Sequence, residues 1–131
     1  MPKDILLDTA PVIAHLRDKI DITVLAPQGA LLFTSLFTVG ELSKGVHKAG
    51  SPDSERSKID AFMQHVAVLI PDTATAELYG EVSAALERAG KRIPENDVWI
   101  AATALECGMA VATADAHFER VPGLDVLKWT W

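Results

Sequence analysis

Cysteine is almost missing from this sequence. Cys107 is the only one, so no disulfide can form within the chain, and a reducing cytoplasm is the expected setting. Long hydrophobic runs are missing too. No apolar stretch approaches the roughly 20 residues of a membrane-spanning helix, so no membrane attachment is expected. The opening MPKDILLDTA lacks the charged-then-apolar order of a secretion signal, because Asp4 and Asp8 interrupt it. There is no basic excess: 12 Lys and Arg stand against 18 Asp and Glu, for a net charge of -6. That balance excludes a general nucleic-acid binder relying on many phosphate contacts. It does not exclude an acidic site that recruits cations. Internal repeats, low-complexity tracts and long linkers are also lacking.

What is present is 131 residues, 49% hydrophobic and 23% charged. This is one domain's worth of chain, residues 1–131, with enough apolar matter for one sizeable core. Short apolar runs alternate with helical periodicity. The ILL run in Asp4 to Leu7 predicts a first strand, and Pro11 to Lys19 a helix with Val12, Ile13 and Leu16 on one side. A short helical turn is expected over Ile22 to Leu25 and a second strand over Leu31 to Thr34. Leu36 to Ala49 reads as a helix with Leu36, Val39, Leu42 and Val46 at helical spacing, stopped by Gly50. Ser51-Pro52-Asp53 is a helix start: a capping serine, proline at the first helical position, then an acid. That helix runs to about His65. Strands follow at Val66 to Ile70, Ala110 to Thr113 and Leu124 to Trp129. Between them lie helices over Thr73 to Ala89, ended by Gly90, and Pro94 to Cys107, ended by Gly108. Short strands separated by helices imply an α/β fold: a central parallel sheet of about five strands, flanked by helices. Such sheets bind ligands beyond the carboxyl ends of their strands.

The acids fall where that rule directs attention. Asp8 follows the first strand, Asp115 follows the fourth, and Asp97 opens an otherwise apolar helix. Helices antiparallel to the strands bring all three to one rim. Glu41 lies about two turns into the helix after the second strand. Each acid also has an ordinary reading. Asp is a common helix cap and suits the positive end of the helix dipole. Asn96 can cap the apolar helix, leaving Asp97 in its first turn. Periodicity places Glu41 nearly opposite the apolar face, as for a solvated residue. Jointly the acids are harder to leave uncompensated. Two carboxylates about 5 Å apart repel by roughly 3 kcal/mol at an effective dielectric near 20. A cluster keeps its charge only if a cation neutralises it. Oxygen donors without His or Cys in the pattern favour a hard ion, Mg²⁺ or Mn²⁺, which binds phosphate oxygens and activates water for phosphodiester hydrolysis.

Four segments together carry a resemblance: ILLDTAPVIAHL, TSLFTVGELSKGV, IPENDVWIAATALECGMAVATADAHF and RVPGLDVLKW. In this order and spacing the chain resembles a PIN domain, specifically the small VapC-type toxins of prokaryotic toxin–antitoxin pairs, over nearly its whole length. The resemblance implies an acidic quartet at Asp8, Glu41, Asp97 and Asp115 that binds Mg²⁺ or Mn²⁺. It overrides the helix periodicity at Glu41 and turns that residue toward the pocket. Asn96 and Thr113 match polar positions that support the acids. The implied activity is endoribonucleolytic cleavage of a structured RNA such as a tRNA or ribosomal RNA. The implied partners are a VapB-type antitoxin and a second copy of the chain as a homodimer. One position departs: Asn or Ser commonly follows LLDT, and here stands Ala10, which puts a supporting hydrogen bond in doubt and not the quartet.

A different class of function also fits: a PIN-fold binding module whose acids are caps or a degenerate site. Among the remaining residues, His15, His47, His65 and His117 show no metal-ligand spacing. His117 lies close enough to Asp115 to approach a phosphate, although a packed or surface histidine is the simpler reading. Lys44, Lys48, Lys91, Arg92 and Arg120 either line an RNA path or are solvated surface. Trp99 and Cys107 are expected in the core. Trp129 and Trp131 are expected to anchor the last strand or meet another subunit.

Overall fold

The computed structural model describes residues 2–131. Its order is β1 (Ile5–Leu7), α1 (Thr9–Leu16), α2 (Ile22–Leu25), β2 (Leu32–Ser35), α3 (Leu36–Lys48), α4 (Pro52–Met63), β3 (Ala67–Leu69), α5 (Thr73–Arg88), α6 (Glu95–Cys107), β4 (Ala110–Thr113), a 3-10 helix (Ala116–Arg120) and β5 (Val126–Lys128). Every predicted element is there, with no end moved by more than three residues; the 3-10 helix is an addition. The five strands form one parallel sheet in the order β3-β2-β1-β4-β5. The chain moves outward from β1 through β2 and β3, then returns to the other side of β1 with β4. The switch point therefore lies between β1 and β4, and that is where a ligand crevice is expected in an open parallel sheet.

The run Ile5-Leu6-Leu7 is fully buried because β1 is central and covered on both faces. Successive residues point to opposite faces of a strand. Leu6 and Val111 pack with α5, α6 and Phe118. Ile5, Leu7 and Ala112 pack with α1, α3 and α4 through Val12, Leu42, Val46, Ile59 and Phe62. Helix α6 buries Val98, Ile100, Ala101, Ala102, Thr103 and Ala104, a set too wide for one stripe, which explains why its sequence has so little polar face. Trp99 is only half-buried. It is stacked between Tyr79 at 4.2 Å and Phe37 at 5.5 Å between ring centroids. Cys107 is exposed, contrary to its expected place in the core: the buried residues of α6 end at Ala104. Trp129 is buried and its N–H donates to the Thr113 carbonyl at 2.8 Å, extending the last strand as an anchor, while Trp131 is exposed.

Gly108 ends α6 in the left-handed region at φ 66°, where Met109 N–H bonds back to Ala104 O at 2.9 Å. A Cβ built there meets nothing within 4 Å, so the cost of a side chain is conformational alone. Gly108→Ala is expected to lower stability by about 1 kcal/mol, read as a lower urea midpoint with an unchanged slope. An unchanged midpoint would show that the helix end readjusts freely.

Candidate metal centre

Asp8 is the last residue before α1 and belongs to the rim where β1 and β4 end. Its N–H continues the sheet to Ala112 O at 2.9 Å. Its carboxylate closes no capping bond onto the second or third helical residue, so the ordinary capping reading fails for it. Asp8 is instead 7% exposed and accepts from Thr113 Oγ1 at Oδ2, 2.8 Å away. Burial raises its pKa above the ordinary carboxylate value. The Thr113 hydroxyl and the Thr9 amide oppose the rise, and the charges of Glu41 and Asp115 add to it. Thr113, fully buried at the end of β4, also accepts from Asp115 N–H at 2.9 Å. One hydroxyl thus ties Asp8 to the turn carrying Asp115.

Asp97 enters the rim from α6. That helix starts two residues earlier than an Asn96 cap requires: Pro94 is the capping position, with no side-chain bond, and Asn96 lies in the first turn. Asn96 therefore does not cap α6; its Nδ2 reaches Glu41 Oε1 at 3.4 Å. The same is true of Ser51, whose hydroxyl makes no capping bond to α4. The pKa of Asp97 is pushed up to about 6, chiefly by burial, then by the charges of Asp8 and Asp115, with His117 acting the other way. Asp115 is a cap, accepting from His117 N–H at Oδ1, 2.9 Å away, at the start of the 3-10 helix. Its other oxygen remains for the site.

Glu41 faces the rim and not the solvent side that periodicity assigned. The buried line of α3 is Thr38, Leu42 and Val46, while Leu36 is 43% exposed. Counting Leu36 as core and leaving Thr38 out of it rotates the expected face. A chain of hydroxyls fixes Glu41: Ser35 Oγ to Thr38 Oγ1 (3.4 Å), Thr38 Oγ1 to Thr9 Oγ1 (3.0 Å), and Thr9 Oγ1 to Glu41 Oε1 (3.1 Å). Each hydroxyl donates once toward the carboxylate, so the bonds polarise one another. Beside Glu41 a groove of about 620 Å³ is lined by Ile13, Leu36, Phe37, Lys44, Lys48 and Asn96, among others. Asp8, Asp97 and Asp115 do not line it. Of the basic residues considered for an RNA path, Lys44 and Lys48 reach this groove. Arg92 pairs with Glu87 at 3.6 Å, and Arg120 donates to Arg92 O at 2.9 Å.

The residue sequence reasoning set aside is His117. The 3-10 helix turns it inward, so Nδ1 lies 2.9 Å from Asp115 Oδ2 and 3.7 Å from Asp97 Oδ2. Nδ1 is buried and has no aligned hydrogen-bond partner. Ligating atoms of Asp97, Asp115 and His117 all lie within 4.8 Å of one another. The signal available beforehand was spacing: the second residue after an acid that caps a tight turn returns to that acid's side. These residues suit a divalent cation. They offer hard carboxylate oxygens, one buried imidazole nitrogen, and an excess of negative charge that burial alone disfavours.

Comparison with known proteins bears on this geometry. The sequence profile of the PIN domain matches residues 5–124. The chain is 34% identical over 95 residues to Ribonuclease VapC4 of Mycobacterium tuberculosis, covering 71% of this chain and 73% of that protein. It is 33% identical over 104 residues to the tRNA(fMet)-specific endonuclease VapC of Shigella flexneri, covering 79% and 78%. Its structure superposes on that of DNA-bound VapBC from Salmonella typhimurium with a TM-score of 0.88 at 28% identity, covering 99% of this chain and 100% of the other.

Proposed function

The chain belongs to the PIN-domain family, and we propose that it is a Mg²⁺- or Mn²⁺-dependent endoribonuclease, the toxin of a VapBC-type toxin–antitoxin pair. Asp8, Glu41, Asp97 and Asp115 form its acidic site, and Thr113 and Asn96 support them. The observation that carries the reading is the meeting of Asp8, Asp97 and Asp115 at the switch point of the sheet, two of them with raised pKa. Acids serving only as caps need not meet. A divalent ion there supplies Lewis-acid polarisation of a phosphoryl oxygen and activation of water at neutral pH.

The protein's own part is to hold the carboxylates in place and keep them ionised. Thr113 orients Asp8 and the Asp115 turn together. Thr9 and Asn96 hold one oxygen of Glu41. Asp97 is the acid whose proton is lost nearest neutrality. A cation must displace that proton, so apparent affinity falls as pH drops through about 6. Between pH 7.5 and pH 5 the loss from this one proton is expected to be about tenfold, measurable as a weaker Mn²⁺ titration by calorimetry. A pH-independent affinity would contradict the role given to Asp97.

The substrate in this reading is a structured RNA of the tRNA or ribosomal RNA class, the partner is a VapB-type antitoxin, and the chain forms a homodimer. A toxin of net charge -6 is suited to a partner that places a basic side chain at the acidic rim. Among the described residues no helix is long and apolar enough to cross a membrane. The direct test incubates purified chain with total RNA in Mg²⁺, in Mn²⁺ and in EDTA. Discrete fragments that vanish in EDTA support the nuclease. No fragments, together with no rise in melting temperature at millimolar Mn²⁺, would favour a PIN-fold binding module.

A further inference from the structure

We propose that His117 is a direct ligand of the cation held at Asp97 and Asp115, and that its nitrogen shifts the site's preference from Mg²⁺ toward Mn²⁺. This rests on the reading above that the acidic rim binds a divalent ion. It adds a donor that the acidic quartet does not contain.

The geometry is that of neighbouring positions on an octahedron. Donors about 2.1 Å from a six-coordinate ion stand about 3.0 Å apart when adjacent. His117 Nδ1 and Asp115 Oδ2 are 2.9 Å apart, and Nδ1 and Asp97 Oδ2 are 3.7 Å apart. The first pair already has the spacing of an octahedral edge, and the second must close by about 0.7 Å through side-chain rotation. The nitrogen is not free to leave. The His117 backbone N–H donates to Asp115 Oδ1, which aims the other oxygen, Oδ2, at the imidazole. The next residue, Phe118, is fully buried and pins the turn. Nδ1 itself is sealed from solvent and faces the two carboxylates without an aligned hydrogen bond to either. A buried imidazole nitrogen between two carboxylates needs positive charge there, either a proton on the ring or a metal ion between the three atoms. A metal ion at the acidic rim replaces the proton and takes the nitrogen as a donor.

The consequence is selectivity. Mg²⁺ prefers an all-oxygen shell and retains its waters, whereas imidazole suits transition metals. Mn²⁺ keeps the six-coordinate geometry that the oxygen donors accept and gains from the nitrogen.

The test uses the whole chain loaded with one equivalent of Mn²⁺. Pulsed electron paramagnetic resonance should show the hyperfine coupling of a directly bound ¹⁴N nucleus, and His117→Gln should abolish it. In calorimetric titrations His117→Gln should lose about tenfold or more in Mn²⁺ affinity, and the nitrogen coupling separates this from the similar loss caused by a residue that only supports a ligand. Its Mg²⁺ affinity should change less than about threefold. The wild-type spectrum needs no variant, so poor folding of His117→Gln cannot hide the answer. Mn²⁺ bound without nitrogen coupling, or with coupling that persists in His117→Gln, would overturn His117 as a ligand and leave the acidic site standing. Failure of the wild-type chain to bind Mn²⁺ at millimolar concentration would overturn this proposal and the metal-dependent reading together.

Discussion

Asp97→Asn protein should cleave RNA on the order of a thousandfold more slowly than wild type, and yet its metal-free form should be the more stable of the two at neutral pH. The first effect follows from the loss of a charged ligand, which exceeds the roughly 10–100-fold cost of losing a residue that only supports one. The second follows from the pKa of Asp97. Burial and the charges of Asp8 and Asp115 raise it from 3.8 to about 6. The folded state therefore holds the Asp97 proton more tightly than the unfolded chain does, and the stability this contributes is fully present below pH 3.8. It is lost as pH rises through about 6. The full difference corresponds to about 3 kcal/mol. Asn carries no charge to bury, so the variant escapes the loss. The measurement is urea unfolding of both proteins in EDTA from pH 4 to pH 7.5, read as the difference between them. Taking the difference matters, because Asp21 and Asp72 have lowered pKa values and push stability the opposite way with pH. A gap that opens toward neutral pH in favour of Asp97→Asn is expected, and Mn²⁺ should close it by stabilising wild type alone. A variant less stable than wild type in EDTA would mean that the carboxylate is a structural partner, not a strained ligand.

The same residue shows how much of the site was legible in the sequence. Short apolar runs fixed the strands because parallel strands covered on both faces must be apolar throughout. The alternation of strands with helices fixed which residues share a rim. Asp8, Asp97 and Asp115 could therefore be brought together from topology alone. Residues whose roles depend on side-chain direction were harder. His117 lies in a short turn with no periodicity, and only the cap formed by Asp115 reveals where it points. Thr9 precedes the helix expected from Pro11, Thr38 falls within the one expected from Leu36, and no pattern marks either. Their burial comes from the hydroxyl chain that serves Glu41, and hydropathy scores a buried threonine as indifferent. Cys107 is exposed because the buried residues of α6 end at Ala104, and an apolar pattern does not show where along a helix burial stops. Resemblance to a family corrected the face of Glu41, where periodicity misled, but it carried no information on His117.

Thr113→Val should have the next largest effect, although it changes nothing but one oxygen. Valine matches threonine in shape, so the fully buried site stays packed. Two bonds are lost. Asp8 Oδ2 loses its donor at 2.8 Å, and the Asp115 amide loses its acceptor at 2.9 Å. A buried carboxylate stripped of its donor costs about 1–3 kcal/mol. The Thr113 hydroxyl is the strongest influence holding the Asp8 pKa down against burial, so removing it lets that pKa climb toward neutrality. Two acids, Asp8 and Asp97, would then resist ionisation in the empty site, and a cation would have two protons to displace. Mn²⁺ affinity is expected to fall roughly 10–100-fold at pH 7.5, and its decline on acidification should steepen from one proton toward two. Thr113→Ser restores the hydroxyl and should recover most of the affinity, even though it leaves a methyl-sized gap. Steeper pH dependence in Thr113→Val with recovery in Thr113→Ser would assign Thr113 to holding Asp8 ionised. Equal losses in both variants would reduce Thr113 to a packing residue and leave burial of Asp8 without its compensating bond.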